Sequence, residues 1–214
     1  MIQELSVAIL PIMLAITVHE AAHGFVADRL GDKTARMAGR VTLNPLKHID
    51  PLGTVILPLV MYALSGFMFG WAKPVPVNWR NLHHPRRDTA LVAIAGPAAN
   101  FIMILGWAIL AAVSVALVDS SPWIAVPLFH MAKYGILINA ILMALNLLPI
   151  LPLDGGRVLN SLLPPSWSQM YSKSEPWGLL ILVALLVSGG LAYILMPMVA
   201  WLQYFAAQVV GMLQ

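Results

Sequence analysis

Long apolar runs separated by short polar stretches organise this chain. The first run covers about residues 5–27 and is followed by a polar stretch, 28–50. Apolar segments recur at about 52–71, 89–118 and 129–151, and a hydrophobic tail covers about 177–213. A helix crosses a bilayer with about 20 apolar residues, so each run is long enough to span. Segment 89–118 carries no Lys, Arg, Asp or Glu. The breaks are rich in proline: "AKPVPVNWRNLHHPRRD" after the second run, residues 119–123 with Pro122 after the third, and "PLDGGRVLNSLLPPSWSQMYSKSEP" after the fourth. In the tail, Gly189, Gly190 and Pro197 either divide it into a hairpin or leave one helix kinked at Pro197. The pattern predicts an all-α polytopic membrane protein: four core transmembrane helices plus one or two C-terminal segments, in a single domain over 1–214.

Composition strengthens this reading. The chain is 60% hydrophobic and 10% charged, whereas a soluble domain is usually about half apolar and a quarter charged. A net charge of +3 does not signal nucleic-acid binding, because loops of membrane proteins are commonly basic. There is no cysteine, so the redox compartment cannot be read. Glu4 and the absence of early Lys or Arg argue against a signal peptide. If every segment crosses once, one side holds Arg29, Lys33, Arg36, Arg40, Lys47 and Lys133, and the other holds Lys73, Arg80, Arg86, Arg87, Arg157 and Lys173. That balance leaves orientation open.

One stretch brings chemistry into the lipid-like pattern. "ITVHEAAHGF", residues 16–25, places His19, Glu20 and His23 near the end of the first run. On a helix, residues i and i+4 lie on one face, so His19 and His23 can share a Zn²⁺ ion. Glu20 beside them is placed to act as general base. Ionisable residues at membrane depth are costly and usually functional; the bland alternative is a polar cluster bonded at a bundle interface. A catalytic zinc site normally takes a third protein ligand and keeps one position open. Val26 and Arg29 stand where a metzincin would place Gly and His. Glu175, the only downstream Glu, lies in a polar loop. Asp154, in "NLLPILPLDGG", follows the fourth run at a break made by Pro149, Pro152, Gly155 and Gly156. It is the best candidate for third ligand, with helix N-capping as its alternative.

"RMAGRVTL", residues 36–43, alternates weakly around Gly39, and "KPVPV", residues 73–77, favours extended backbone. The first predicts a short membrane-associated edge strand or hairpin, in which Gly39 and Val41 bind substrate by strand addition. Plain loop is the alternative. His48, His83, His84 and His130 read as solvated or interfacial residues.

"HEAAH" at 19–23, followed by "NLLPILPLDG" at 146–155, resembles the site-2 proteases, a family of intramembrane zinc metalloproteases. "GPAAN" at 96–100 extends the similarity over most of the hydrophobic core. The resemblance implies one Zn²⁺ held by His19, His23 and Asp154, with Glu20 as general base. It implies that Asn146 clamps substrate or donates to the oxyanion, although an Asn at a proline break can simply satisfy freed carbonyls. It places Asn100 near the substrate or in a structural role. Larger relatives insert a PDZ domain or append a CBS domain, and neither is expected in a chain this short. The expected substrates are transmembrane proteins, and the expected location is the cell membrane. A silent binder of membrane helices and a metal transporter are the competing readings. The sequence leaves the oligomeric state open.

Overall fold

The computed structural model describes residues 2–56, Val60 and residues 73–213. Helix α1 runs Ile2–Arg29, a short α2 covers Thr34–Met37, and the long α3 runs Pro85–Ala116. Helix α4 covers Pro122–Asn146 and α5 covers Asp154–Leu162. Then come α6 (Pro165–Ser172), α7 (Glu175–Val187) and α8 (Gly190–Met212). Among the described residues, α1, α3, α4 and α8 are long and apolar enough to cross a membrane; α6 and α7, bent by 60°, together pass the same test. The expected span at 52–71 lies outside the described residues apart from its first turn, Pro51–Ile56, and Val60.

The tail is divided, with Gly189 at φ 74° separating α7 from α8, while Pro197 sits within α8. At about 1.5 Å per residue, the 13 residues of α7 fall short of a bilayer by themselves, whereas α8 is long enough to cross alone.

Small residues at helical spacing explain how the bundle closes. Ala132, Ile136, Ala140 and Ala144 make one ridge of α4. It packs on Ile104, Trp107, Ala108 and Ala111 of α3 and on Leu195, Val199, Leu202 and Ala206 of α8. Membrane helices gain little from hiding apolar surface from lipid, so close backbone approach over small residues does the packing. Outside, Ile102, Ile109, Val113 and Trp201 are exposed, while Thr17, Asn100, Ser114 and Asn139 are buried. Polar groups within and bulky apolar groups without are the reverse of a soluble bundle. This is a multi-pass membrane protein.

The hairpin expected after α1 does not form. Residues 36–43 enter α2 and then bends, and no strand occurs among the described residues. Gly39 at φ 63° turns the chain out of extended geometry. Residues 40–48 are tied by side chains instead of a backbone ladder. Arg40 donates from Nη2 to the Lys73 carbonyl (2.7 Å), and the His48 ring pairs with the Thr42 carbonyl (3.0 Å).

These ties change the charge count. The Lys73 N–H donates to the His48 carbonyl (3.0 Å), and the His83 N–H to the Leu30 carbonyl (2.9 Å). The end of α1 and the start of α3 therefore share one end of the bundle. Arg157 of α5 and Glu175 at the start of α7 pair at 3.2 Å and extend the same face. Of the twelve Lys and Arg residues, all but Lys133 belong to segments at this end. The six-to-six balance depended on a single crossing by 52–71, and the flanks of that stretch lie side by side.

Candidate metal centre

The HEAAH turn is pinned to α3 by two hydrogen bonds. His19 donates from Nδ1 to Asn100 Oδ1 (2.6 Å), and His23 donates from Nδ1 to the Val92 carbonyl (2.7 Å). A carbonyl oxygen can only accept, so each neutral ring keeps its lone pair on Nε2. The two Nε2 atoms stand 3.1 Å apart, and each is 3.4 Å from Asp154 Oδ2. With both rings neutral, three acceptor atoms thus converge. Asp154 Oδ2 is buried and has no hydrogen-bond partner.

That geometry suits a cation. Ligand atoms around a tetrahedral zinc, with bonds near 2.0–2.2 Å, stand about 3.3–3.5 Å apart. Two imidazoles and one carboxylate are also a donor set that zinc accepts, and each histidine has the outer partner that usually fixes a metal-binding ring. His19, His23 and Asp154 therefore fit the ion, and among the described residues no other group of three metal-ligating side chains converges in this way.

Local sequence explains how the three meet. His19 and His23 stack one turn apart on α1. Asp154 opens α5, after the chain has left α4 at Asn146 and turned through "LLPILPL". Gly155 and Gly156 lie against this turn, where a Cβ would come within 2.3 Å of the Leu147 oxygen and 2.6 Å of the Ile150 carbon. The "GG" after Asp154 therefore allows α5 to dock on the break. Opposite, Gly96 of α3 faces both rings: a Cβ there would sit 2.4 Å from His23 Nε2 and 2.5 Å from His19 Cε1. Only a residue without a side chain lets α3 approach the histidines so closely.

The ligand atoms open into a cavity of about 400 Å³ lined by Glu20, Val75, Trp79, Asn146 and Arg157 among others. Glu20 accepts the Val75 N–H on Oε2 (2.8 Å), so "KPVPV" lies over the centre without joining a sheet. This segment is held by Asp32, which accepts from the Asn78 N–H (2.7 Å), Asn81 Nδ2 (3.0 Å) and the Thr34 N–H (3.1 Å) and hydroxyl (2.5 Å). Burial works against ionisation of Asp32, but these donors hold its carboxyl below the usual carboxylate range. Arg157 stacks over Trp79 at 4.9 Å and closes the cavity rim.

The other expected site residues divide. Asn146 lines the cavity and returns its Nδ2 to the Leu142 carbonyl (3.0 Å). Asn100 does not reach the cavity. It is fully buried behind His19 and bonded to that ring, which matches the structural alternative for this residue. Gly39 has open space around it, and Val41 borders a separate apolar groove with Val18, Ala22 and Phe25. Neither Gly39 nor Val41 lines the metal cavity. His48 is buried, yet it pairs with Thr42 away from the centre. Sequence reasoning passed over Gly96, which stood in the quoted "GPAAN", and Asn139, a lone amide in an apolar run. The cost of a polar side chain at membrane depth was the available signal for Asn139.

A bundle of membrane helices with a buried His–His–Asp centre and an adjacent glutamate defines the class of membrane-embedded metallopeptidases. Residues 112–189 match peptidase family M50. The protein assigned as zinc metalloprotease YwhC in Bacillus subtilis is 36% identical over 191 residues, covering 89% of this chain and 84% of that one. The one assigned as zinc metalloprotease Rip2 in Mycolicibacterium smegmatis is 34% identical over 88% of this chain and 70% of its own. Its Mycobacterium tuberculosis namesake is 28% identical over 89% and 70%. No solved structure matches the chain. With these relatives aligned along nearly its whole length, the chain belongs to peptidase family M50.

Proposed function

We propose that this protein is a zinc-dependent endopeptidase that hydrolyses peptide bonds in or near the transmembrane segments of other membrane proteins. The observation that carries the reading is the convergence of three acceptor atoms, one of them the unpartnered buried Asp154 Oδ2, beside Glu20. His19, His23 and Asp154 would hold the ion, which when bound polarises a carbonyl and acidifies a water.

Glu20 then carries the proton. Its Oε2 is steadied by the Val75 N–H, which leaves Oε1 to take a proton from water and deliver it to the leaving amine. Asn146 stands at the cavity wall. By rotating its Nδ2 away from the Leu142 carbonyl, it can donate to the developing oxyanion. The substrate must enter extended, and the apolar rim of Pro74, Val75, Val77 and Trp79 suits a hydrophobic backbone stretch. Eleven of twelve cationic side chains belong to segments at the catalytic end, which supports a cytoplasmic placement of that end under the positive-inside rule in a protein of the cell membrane.

A silent binder needs no base at Glu20, and a transporter would show ligand clusters along a path. Only one such cluster occurs among the described residues. Glu20→Gln tests the enzyme reading. The variant should retain zinc while cleavage of a transmembrane peptide falls by about 10³-fold, within the roughly 10²–10⁴-fold that positioned proton transfer contributes. Cleavage at the wild-type rate would remove Glu20 from the chemistry.

A further inference from the structure

Behind His19 runs a buried chain of amides whose direction is fixed from its far end. Asn139 of α4 donates from Nδ2 to the Gly135 carbonyl (2.8 Å). That carbonyl can only accept, so the Asn139 amide has one workable orientation and presents Oδ1 to its neighbour. Asn100 donates from Nδ2 to that Oδ1 (2.8 Å), with the Ala15 carbonyl beside it at 3.4 Å. The Asn100 amide is therefore also fixed, with Oδ1 turned to His19 Nδ1 at 2.6 Å. Asn100 and Asn139 are both fully buried, so no bulk water competes for these groups.

Direction matters because a flipped Asn100 would turn an NH₂ towards His19. The ring would then have to accept on Nδ1 and carry its proton on Nε2, the atom that faces His23 and Asp154. A protonated Nε2 cannot bind a metal. His23 needs no such device, because its acceptor is the Val92 backbone carbonyl, which cannot flip.

We propose that Asn139 is a positioning residue for the metal centre: through Asn100 it selects the His19 tautomer that leaves Nε2 free for zinc. The inference rests on the metallopeptidase reading above and adds to it a buried residue of α4 that does not line the cavity. Outer-partner substitutions at metal sites typically cost 10–100-fold in affinity. Asn139→Leu should therefore weaken zinc binding about tenfold or more. Asn139→Asp, neutral when buried among amides, keeps an acceptor for Asn100 and a hydroxyl for Gly135 and should remain within about twofold of wild type.

The test is zinc affinity of the full-length protein in detergent, measured by competition with a chromophoric chelator. The variants are Asn139→Leu, Asn139→Asp, Asn100→Leu, Asn100→Leu with Asn139→Leu, and His23→Ala. Loss of stoichiometric zinc in His23→Ala checks the metal site on its own, so its failure is distinct from failure of the relay. If Asn139 acts through Asn100, Asn139→Leu adds no further loss in the Asn100→Leu background, which a general packing defect would not reproduce. Wild-type affinity in Asn139→Leu would overturn the proposal, as would additive losses in the double variant. Should Asn139→Leu fail to fold, an Asn139→Asp affinity at least tenfold below wild type overturns it equally.

Discussion

The two sides of the cavity are built from different material. On one side, His19 and His23 are locked by Asn100, Val92 and Gly96, all on α3 and all buried. On the other, Glu20 is met by Val75, in a segment without regular structure that Asp32 ties down from the loop after α1. Metal ligands thus rest on helix packing, whereas the candidate base rests on a strap held by hydrogen bonds. Helix packing resists displacement because its neighbours cannot yield independently. Loop segments with few buried apolar contacts open more readily.

The largest effect should come from breaking the rigid side. Gly96→Ala places a methyl 2.4 Å from His23 Nε2 and 2.5 Å from His19 Cε1, with both rings held from behind. Zinc stoichiometry in the purified protein should fall below half, and cleavage should fall with it. Full zinc content would mean that α3 can retreat and that the two sides are equally yielding.

Breaking the strap should act on turnover alone. Val75→Pro removes the N–H that Glu20 accepts, a bond to a charged group of about 1.5–3 kcal/mol. Zinc content should stay at the wild-type level while kcat drops about tenfold. An equal loss of zinc would show that the strap supports the ligands as well as Glu20, and the contrast would fail.

How much of this was legible follows the same division. The apolar runs gave α1 and α3 to within four residues, because lipid requires long uninterrupted helices and little else resembles them; α4 begins at Pro122 and ends at Asn146, earlier at both ends than the expected 129–151. His19, His23 and Asp154 could be paired because ligand chemistry restricts which residue types can complete a zinc site. The strand at 36–43 failed because a single left-handed glycine and the side-chain ties of Arg40 and His48 override weak alternation. Gly96 and Asn139 were harder still. Their parts in the site depend on which helix faces lie opposite each other, a fact of tertiary packing that no local pattern carries. The orientation signal was present in the charges but misassigned, since it depended on where residues 48 and 73 meet.

The smallest effect tests what holds the strap. Asp32 has donors from Thr34, Asn78 and Asn81 that favour its ionised form, so its folded pKa lies below the ordinary value despite burial. A depressed folded pKa means that the carboxylate contributes stability at all pH values above the unfolded value of about 3.9, and that this contribution fades as pH falls through the folded pKa. Between pH 7 and about pH 5, amide exchange at Val75 and Asn78 should therefore show constant protection relative to α3, and it should decline below about pH 4. Asp32→Asn should reproduce the low-pH behaviour at neutral pH while leaving protection of the α3 amides at Gly96 and Asn100 unchanged. If α3 loosens together with the strap, then Asp32 supports the whole catalytic end of the bundle, and the division between a rigid ligand wall and a displaceable cover does not hold.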